Sequence, residues 1–178
     1  SPVIQILHET IGIEKAILNT VHGYTATQKL VDAPDARDFR RGRAAAVNIV
    51  PSTTGAAIAV TQAIPALVDK FDGIAIRVPV ITGSIADITF ITKRPTSVEE
   101  VNRILKQAAA LPRWKNIFSV TEEPLVSSDI IGNPYASLAD LALTKVVGGN
   151  LVKVLAWYDN EVGYTNTLVE HVIKTGQN

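Results

Sequence analysis

The sequence predicts an α+β fold, with one mixed, mostly antiparallel sheet and helices on one face. Several short runs rich in valine, isoleucine and alanine have the composition of strands, and only a few segments have the apolar spacing of helices. Strands and helices do not alternate strictly, which argues against a parallel βαβ sheet. No repeat or linker divides the sequence, so we expect residues 1–178 to form one domain.

Composition excludes several classes of function. The 17 basic and 17 acidic residues give zero net charge, which argues against nucleic acid or an anionic membrane as the main partner. No apolar run approaches the roughly 18 residues of a membrane span. Cysteine is absent, so these residues contain no disulfide, thiolate metal site or cysteine nucleophile.

The N-terminal residues have no basic segment followed by an apolar run and a small-residue cleavage site, so they do not resemble a signal peptide. Methionine is absent as well. We therefore expect residue 1 to be an interior position of a longer protein, or the residue that follows a removed initiator methionine.

The first predicted elements are a helix over residues 2–9, where apolar residues have helical spacing, and a strand over residues 13–21. Residues 24–48 have no regular pattern and contain several aspartates and four arginines (Arg37, Arg40, Arg41 and Arg43). A loop of this length in a compact domain is usually functional. The alternative is a solvated loop with weak Asp–Arg pairs.

A helix is predicted over residues 56–63, directly after hydroxyl side chains at positions 52–54 and Gly55. A helix start with free N–H groups, hydroxyls and a glycine is suited to bind phosphate. The alternative is ordinary capping of the helix by the hydroxyl groups.

Residues 73–80 and 85–92 are predicted strands, and their short connection indicates a hairpin. Arg77 lies within the first of these apolar runs. A buried guanidinium needs a carboxylate or an anionic ligand. Asp87 is a candidate internal partner.

The second half begins with a predicted helix from residue 98 to about residue 111, for which Ser97 and Glu100 form a capping box. Strands are predicted over residues 117–120, 138–142 and 151–158, with a turn at 148–150 before the last. Asn160 is then the expected N-cap of a closing helix whose apolar face contains Tyr164, Leu168 and Val172.

His22 is the best candidate for acid–base chemistry, because it stands at the end of a predicted strand and is followed by three hydroxyl side chains and an amide. The alternative is a structural histidine. The three histidines are far apart in sequence and do not have metal-ligand spacing. No glycine-rich dinucleotide fingerprint is present.

Five ordered motifs resemble those of the phosphorylating glyceraldehyde-3-phosphate dehydrogenases, and the match extends over the whole chain. The motifs are Thr20-Val21-His22-Gly23-Tyr24-Thr25-Ala26-Thr27-Gln28, Arg41-Gly42-Arg43-Ala44-Ala45, Asn48-Ile49-Val50-Pro51-Ser52-Thr53-Thr54-Gly55-Ala56-Ala57, Arg77-Val78-Pro79 and Trp157-Tyr158-Asp159-Asn160-Glu161-Val162-Gly163-Tyr164.

This resemblance implies that residues 1–178 are the catalytic, C-terminal domain, with an S-loop over about residues 24–47. The N-terminal NAD-binding domain of the family is absent from the sequence, and the family's nucleophilic cysteine would lie about six residues before Ser1. The resemblance also implies a cytoplasmic homotetramer that oxidises glyceraldehyde 3-phosphate with inorganic phosphate and NAD, without excluding NADP.

The resemblance further implies a role for each matching residue. His22 is the expected base, Thr25 and Arg77 are expected to bind the substrate phosphate, and Thr54 and Gly55 the attacking phosphate. Asn160 and Tyr164 are expected at the nicotinamide. No metal site is implied.

Two departures from the family pattern are evident. Gly23 replaces the usual alanine or serine, and residues 80–83 replace a Thr-x-Asn pattern. The related erythrose-4-phosphate dehydrogenases are an alternative, although Tyr158 and Tyr164 favour the triose enzyme. A non-catalytic module that only oligomerises or binds anions is the other alternative.

Overall fold

The computed structural model describes residues 2–36 and 38–176. The strands are β1 (Ile13–Gly23), β2 (Val50–Thr53), β3 (Phe71–Val78), β4 (Ser84–Thr92), β5 (Phe118–Thr121), β6 (Ser137–Val147) and β7 (Leu151–Tyr158). The α-helices are α1 (Pro2–Thr10), α2 (Ala56–Ala63), α3 (Val98–Ala109) and α4 (Val162–Gly176).

All seven strands form one sheet in the order β2-β3-β1-β4-β7-β6-β5. The pairs β1–β3 and β5–β6 are parallel, and the other neighbouring strands are antiparallel. The predicted α+β class with a mixed, mostly antiparallel sheet is therefore confirmed.

Helices α1, α2 and α3 bury their apolar side chains in a single core on one face of the sheet. That core contains residues such as Leu7, Val60, Leu105 and Phe90. Helix α4 is different, because Gly163 is its only buried residue within the part of the helix that the structure describes. The predicted apolar face of α4 exists in sequence but is exposed to solvent in this chain.

The predicted hairpin between residues 73–80 and 85–92 is wrong. Both strands form, but β1 lies between β3 and β4 and pairs with each of them. The short connection therefore crosses over the end of β1. This crossing positions the functional side chains, because it places residues 79–83 directly above the C-terminal end of β1.

The predicted N-cap of α4 is also wrong by one residue. The Asp159 carboxylate, and not the Asn160 side chain, accepts hydrogen bonds from the N–H groups of Glu161 and Val162, at 2.8 and 2.9 Å. At α3 the predicted cap forms, since the Ser97 hydroxyl accepts from the Glu100 N–H. The Glu100 carboxylate instead pairs with Arg94, at 2.8 Å.

Residues 24–44 contain no helix or strand among those described, so most of the irregular segment predicted over residues 24–48 is confirmed; its end forms a short 3-10 helix, Ala45–Val47. One isolated bridge joins Lys29 to Ala44, and Arg43 pairs with Asp32 at 3.1 Å. Arg37, one of the four arginines predicted in this loop, falls outside the described residues. Nowhere in residues 2–36 and 38–176 is a helix long and apolar enough to span a membrane.

Candidate active site

Four polar side chains lie next to one another on adjacent strands at one end of the sheet. His22 on β1 is the register partner of Arg77 on β3 and of Ser84 on β4, and Ser84 is in turn the partner of Tyr158 on β7. Directly paired residues project from the same face of a sheet. The row Arg77–His22–Ser84–Tyr158 therefore faces the same side as the helices.

His22 is half-buried within this row. Its Nδ1 atom lies 2.6 Å from the Gly23 carbonyl oxygen and 2.5 Å from Nη1 of Arg77. Burial lowers the pKa of the imidazole, and the Arg77 charge lowers it further, whereas the hydrogen bond with Gly23 opposes both effects. A histidine that is neutral near pH 7 is able to act as a general base.

Arg77 has no carboxylate partner within the described residues. Its Nη1 atom contacts His22 and the Gly23 carbonyl, and its buried Nε has no hydrogen-bond partner. Burial lowers the pKa of the guanidinium, but an arginine remains cationic at any physiological pH. This desolvated, unpaired cation is suited to hold an anion.

Asp87 is not the partner of Arg77, contrary to the prediction. Both carboxylate oxygens of Asp87 accept hydrogen bonds from Nζ of Lys153, each at 2.6 Å. Asp87 is three positions from Ser84 along β4, and an odd separation places a side chain on the opposite face of the sheet. Asp87 and Arg77 consequently project in opposite directions.

Tyr158 lies in the site, although the sequence indicated it only as part of the family motif that favours the triose enzyme. Its ring meets the His22 ring edge-on, with centroids 6.1 Å apart and an interplanar angle of 72°. Burial raises the pKa of the phenol, while hydrogen bonds with Ser84 and Thr20 act in the other direction. The tyrosine thus remains a neutral, anchored wall beside the imidazole.

Thr25 lies in a tight turn three residues after His22. Its N–H donates to Oε1 of the buried Gln28 at 2.9 Å, and its hydroxyl is 3.0 Å from the hydroxyl of Thr27. Gln28 therefore fixes the backbone of this turn. The hydroxyls of Thr25 and Thr27 also contact the Gln28 side chain, at 3.3 and 3.0 Å, and Thr27 is exposed.

Thr54 and Gly55 form the junction between β2 and α2. The Thr54 hydroxyl accepts from the Ala56 N–H at 3.1 Å, but the N-cap of α2 is Gly55, which has no side chain to cap the helix. A Cβ atom added to Gly55 would meet no atom within 4 Å, so this junction is open on its outer side. Ala56 lines a cavity of ≈ 240 Å³ together with Tyr158, which brings the start of α2 towards the polar row.

Asn160 is held in one orientation. Its Oδ1 accepts from the Gly83 N–H at 3.1 Å and from the hydroxyls of Thr82 and Ser84, each at 3.4 Å. Because a backbone N–H can only donate, the oxygen of the amide must face Gly83, and the NH₂ group must point away. Among the described residues, that NH₂ group has no hydrogen-bond partner.

A groove of ≈ 310 Å³ connects His22 with Asn160 and Tyr164. Tyr158 and Gly163 contribute to its walls. The oriented NH₂ donor and the aromatic walls suit a flat ring that carries a carboxamide, which is the chemistry of nicotinamide. The residues present therefore fit the cofactor that the sequence resemblance implies.

Arg41 is a second cation near the row, and it was predicted only as a loop residue. Its Nη2 donates to the Thr53 hydroxyl at 2.9 Å, and its charge lowers the pKa of Arg77. The motif Arg41-Gly42-Arg43 was the signal that could have identified it. Across the described residues, no cluster of three or more histidine, aspartate or glutamate side chains could hold a metal ion.

Gly23 and the loop of residues 79–83 fit against each other. A Cβ atom at position 23 would lie 2.6 Å from the Val80 carbonyl oxygen. The Gly23 N–H also donates to the Gly83 carbonyl at 3.3 Å. The two departures from the family pattern are therefore in direct contact.

The comparisons with known proteins agree with this geometry. The family model described as "Glyceraldehyde 3-phosphate dehydrogenase, C-terminal domain" matches residues 1–160. The glyceraldehyde-3-phosphate dehydrogenase of Mycobacterium avium is 47% identical over 177 residues, which cover 99% of this chain and 51% of that protein. Glyceraldehyde-3-phosphate dehydrogenase 1 of Streptomyces arenae is 50% identical over 166 residues, which cover 93% of this chain and 49% of that protein.

The chain thus spans about half the length of the curated relatives that it matches. The chain belongs to the glyceraldehyde 3-phosphate dehydrogenase C-terminal domain family.

Proposed function

We propose that this chain is the catalytic domain of a phosphorylating glyceraldehyde-3-phosphate dehydrogenase. The reaction is the oxidation of glyceraldehyde 3-phosphate to 1,3-bisphosphoglycerate with inorganic phosphate and NAD. One observation carries the proposal: a half-buried histidine and an unpaired arginine share one row, and a groove connects that row to an oriented amide donor.

His22 is the proposed general base. The sequence contains no cysteine, so the thiol that attacks the aldehyde must come from the remaining half of the protein. Nε2 of His22 accepts the proton of that thiol when Nδ1 carries the ring's own proton and donates a hydrogen bond to the Gly23 carbonyl. The depressed pKa of His22 keeps the imidazole neutral before this transfer.

Two anion sites are proposed on either side of the histidine. Thr25 and Arg77 bind the phosphate of the substrate, and this role is supported by the lack of a carboxylate beside Arg77 in the described residues. Thr54 and Gly55 bind the attacking inorganic phosphate, since the junction before α2 offers a hydroxyl and an open glycine. Arg41 adds positive charge to the same region.

Asn160 and Tyr164 are proposed to hold the nicotinamide. The free NH₂ of Asn160 would donate to the carboxamide oxygen, and the Tyr164 ring would pack nearby in the groove. When bound, a nicotinamide would supply the hydride acceptor that oxidation of the aldehyde requires. The same residues accommodate NADP, because they contact neither ribose of the cofactor in this proposal.

We also propose a cytoplasmic homotetramer that forms through the S-loop and the outer face of the sheet. Ile17 and Ile74 are 61% and 51% exposed on the face opposite the helices. In the long loop, Leu30 and Phe39 are 85% and 90% exposed. Apolar surface on both segments favours burial against further copies.

The test is a spectrophotometric assay of the complete gene product with glyceraldehyde 3-phosphate, phosphate and NAD. We expect phosphate-dependent formation of NADH, and no activity from residues 1–178 alone, which lack the nucleophile. A faster rate with erythrose 4-phosphate would favour the alternative aldehyde. No turnover of either aldehyde by the complete protein would favour a non-catalytic module.

A further inference from the structure

We propose that Arg77 also controls which ring nitrogen of His22 carries the proton, so that an anion bound at Arg77 converts Nε2 into a base. Arg77 is thus a positioning residue for the histidine in addition to an anion ligand. The identification of that anion as the substrate phosphate rests on the proposed function. The control of the histidine proton rests on geometry alone.

Nδ1 of His22 lies between two partners that require opposite protonation states. The Gly23 carbonyl oxygen, 2.6 Å away, can only accept a hydrogen bond, whereas Nη1 of Arg77, 2.5 Å away, can only donate one. A protonated Nδ1 donates to Gly23 and meets the N–H groups of Arg77 unfavourably. An unprotonated Nδ1 accepts from Arg77 and faces the lone pairs of the Gly23 carbonyl oxygen.

The protonation state of Nδ1 determines the protonation state of Nε2. A neutral imidazole carries one proton, so Nε2 holds that proton when Nδ1 accepts from Arg77. In that tautomer Nε2 is a donor and is unable to take a proton from a thiol. When Nδ1 carries the proton, Nε2 has a free lone pair and is a base.

An oxyanion competes with the imidazole for Arg77. A guanidinium forms stronger, paired hydrogen bonds with a phosphate or sulfate than with a neutral ring nitrogen. Arg77 is free to respond because Nε is buried without a partner and none of the described carboxylates pairs with it. Rotation towards an anion withdraws Nη1 from Nδ1.

The tautomer change conserves the number of protons on the ring. One proton leaves Nε2 to water, and Nδ1 takes one proton from water. The new Nδ1–H group keeps that proton and donates a hydrogen bond to the Gly23 carbonyl. No oxidant or further reactant is needed. Among the described residues, the charged or titratable groups in contact with His22 are Arg77 from β3 and Tyr158 from β7. Asp159 and Tyr164 line the same groove as His22, and the charge of Arg41 in the long loop acts on Arg77.

The negative charge of the bound anion also favours His22 as a base. The Arg77 cation lowers the pKa of His22, so an anion that neutralises it raises that pKa. The base would therefore become both available and stronger when the anion binds. An enzyme with this coupling would activate its base mainly while a phosphorylated ligand occupies the site.

The test is a long-range ¹H–¹⁵N correlation spectrum of the 178-residue chain labelled with ¹⁵N-histidine. The probe is inorganic sulfate, which does not titrate near neutral pH. We expect His22 to have its proton on Nε2 without sulfate and on Nδ1 at saturating sulfate, with signals assigned from a His22→Gln variant. Arg77→Leu should give the Nδ1–H tautomer without sulfate and no sulfate response.

Two further variants separate a specific contact from a general effect of charge. Arg77→Lys retains a cationic donor and should retain a tautomer response to sulfate. Arg103→Leu removes an exposed cation on α3 and should leave the response unchanged. A Nδ1–H tautomer in the sulfate-free wild-type chain would overturn the inference.

The outcomes also distinguish this inference from the proposed function. Sulfate binding without a change of tautomer would overturn the inference alone and would leave the dehydrogenase assay as the test of the function. Failure of sulfate to perturb Arg77 or His22 at all would overturn the inference and would also remove the substrate-phosphate site from the proposed function.

Discussion

Because Gly23 contacts the loop of residues 79–83, we expect the methyl group added by Gly23→Ala to destabilise the fold. In Gly23→Ala the new Cβ would lie 2.6 Å from the Val80 carbonyl oxygen, whereas ordinary contacts begin at 3.4 Å. The backbone at position 23 is not in the left-handed region, so alanine is free of conformational strain there. The whole effect must then come from displacement of the loop by about 0.8 Å.

Overpacking of this kind costs about 1–3 kcal/mol of unfolding free energy. We expect urea denaturation followed by fluorescence of the two tryptophans, Trp114 and Trp157, to report a loss in this range. Gly176→Ala adds the same methyl group at the end of α4, where no atom lies within 4 Å. That control should change the unfolding free energy by less than about 0.5 kcal/mol.

The displaced loop should also release Asn160. Gly83 donates to Oδ1 of Asn160 and accepts from the N–H of Gly23, so both bonds depend on the position of this loop. The side-chain amide signals of Asn160 in a ¹H–¹⁵N spectrum should therefore move in Gly23→Ala and stay in place in Gly176→Ala. Wild-type stability with an unmoved Asn160 amide would show that the loop does not rest on Gly23.

Four further predictions follow from the site, the acid-sensitive contacts and the exposed sheet face. In the complete enzyme, His22→Asn should lower kcat far more than it raises KM, and an unchanged kcat would make His22 structural. Arg77→Leu should raise KM most for phosphorylated aldehydes, with an unphosphorylated aldehyde as the control substrate. Arg94 holds the pKa of Glu100 at about 2, so the ionised carboxylate stabilises the folded state above pH 4.5, and this contribution is lost as the pH falls towards 2. Glu100→Gln should therefore make the free energy of unfolding depend less on pH between 4.5 and 2, whereas Glu123→Gln should not. Ile17→Asp on the exposed sheet face should reduce the sedimentation coefficient of the complete protein, and an intact assembly would exclude this face as an interface.

Most elements of the fold were predictable because their signals are local. The apolar spacing of α1, α2 and α3 and the β-branched runs of β1, β3, β4 and β7 each stand within one short window. Strand β2 was missed because it has only four residues and contains Pro51, which breaks a typical strand pattern. Its position at the edge of the sheet explains why a proline is tolerated.

The pairing of strands was less predictable, because it depends on residues that are distant in sequence. Nothing in residues 73–92 indicates that β1 separates β3 from β4. The predicted partner of Arg77 was wrong for a related reason, because the face from which Asp87 projects follows from its register on β4. The observed register instead gives Arg77 a histidine neighbour and leaves its charge uncompensated by any described carboxylate.

For the candidate site too, the residues could be predicted from local motifs, but the contacts between distant residues could not. Family motifs identified His22, Arg77 and Asn160 from the sequence, but no motif indicates that Nδ1 of His22 touches Arg77 or that Gly83 orients Asn160. Both contacts arise at the crossing of residues 79–83 over the end of β1. One backbone feature thereby connects the proposed anion-binding side of the site with the proposed nicotinamide side, and Gly23, directly below this crossing, is where a single methyl group should disturb both.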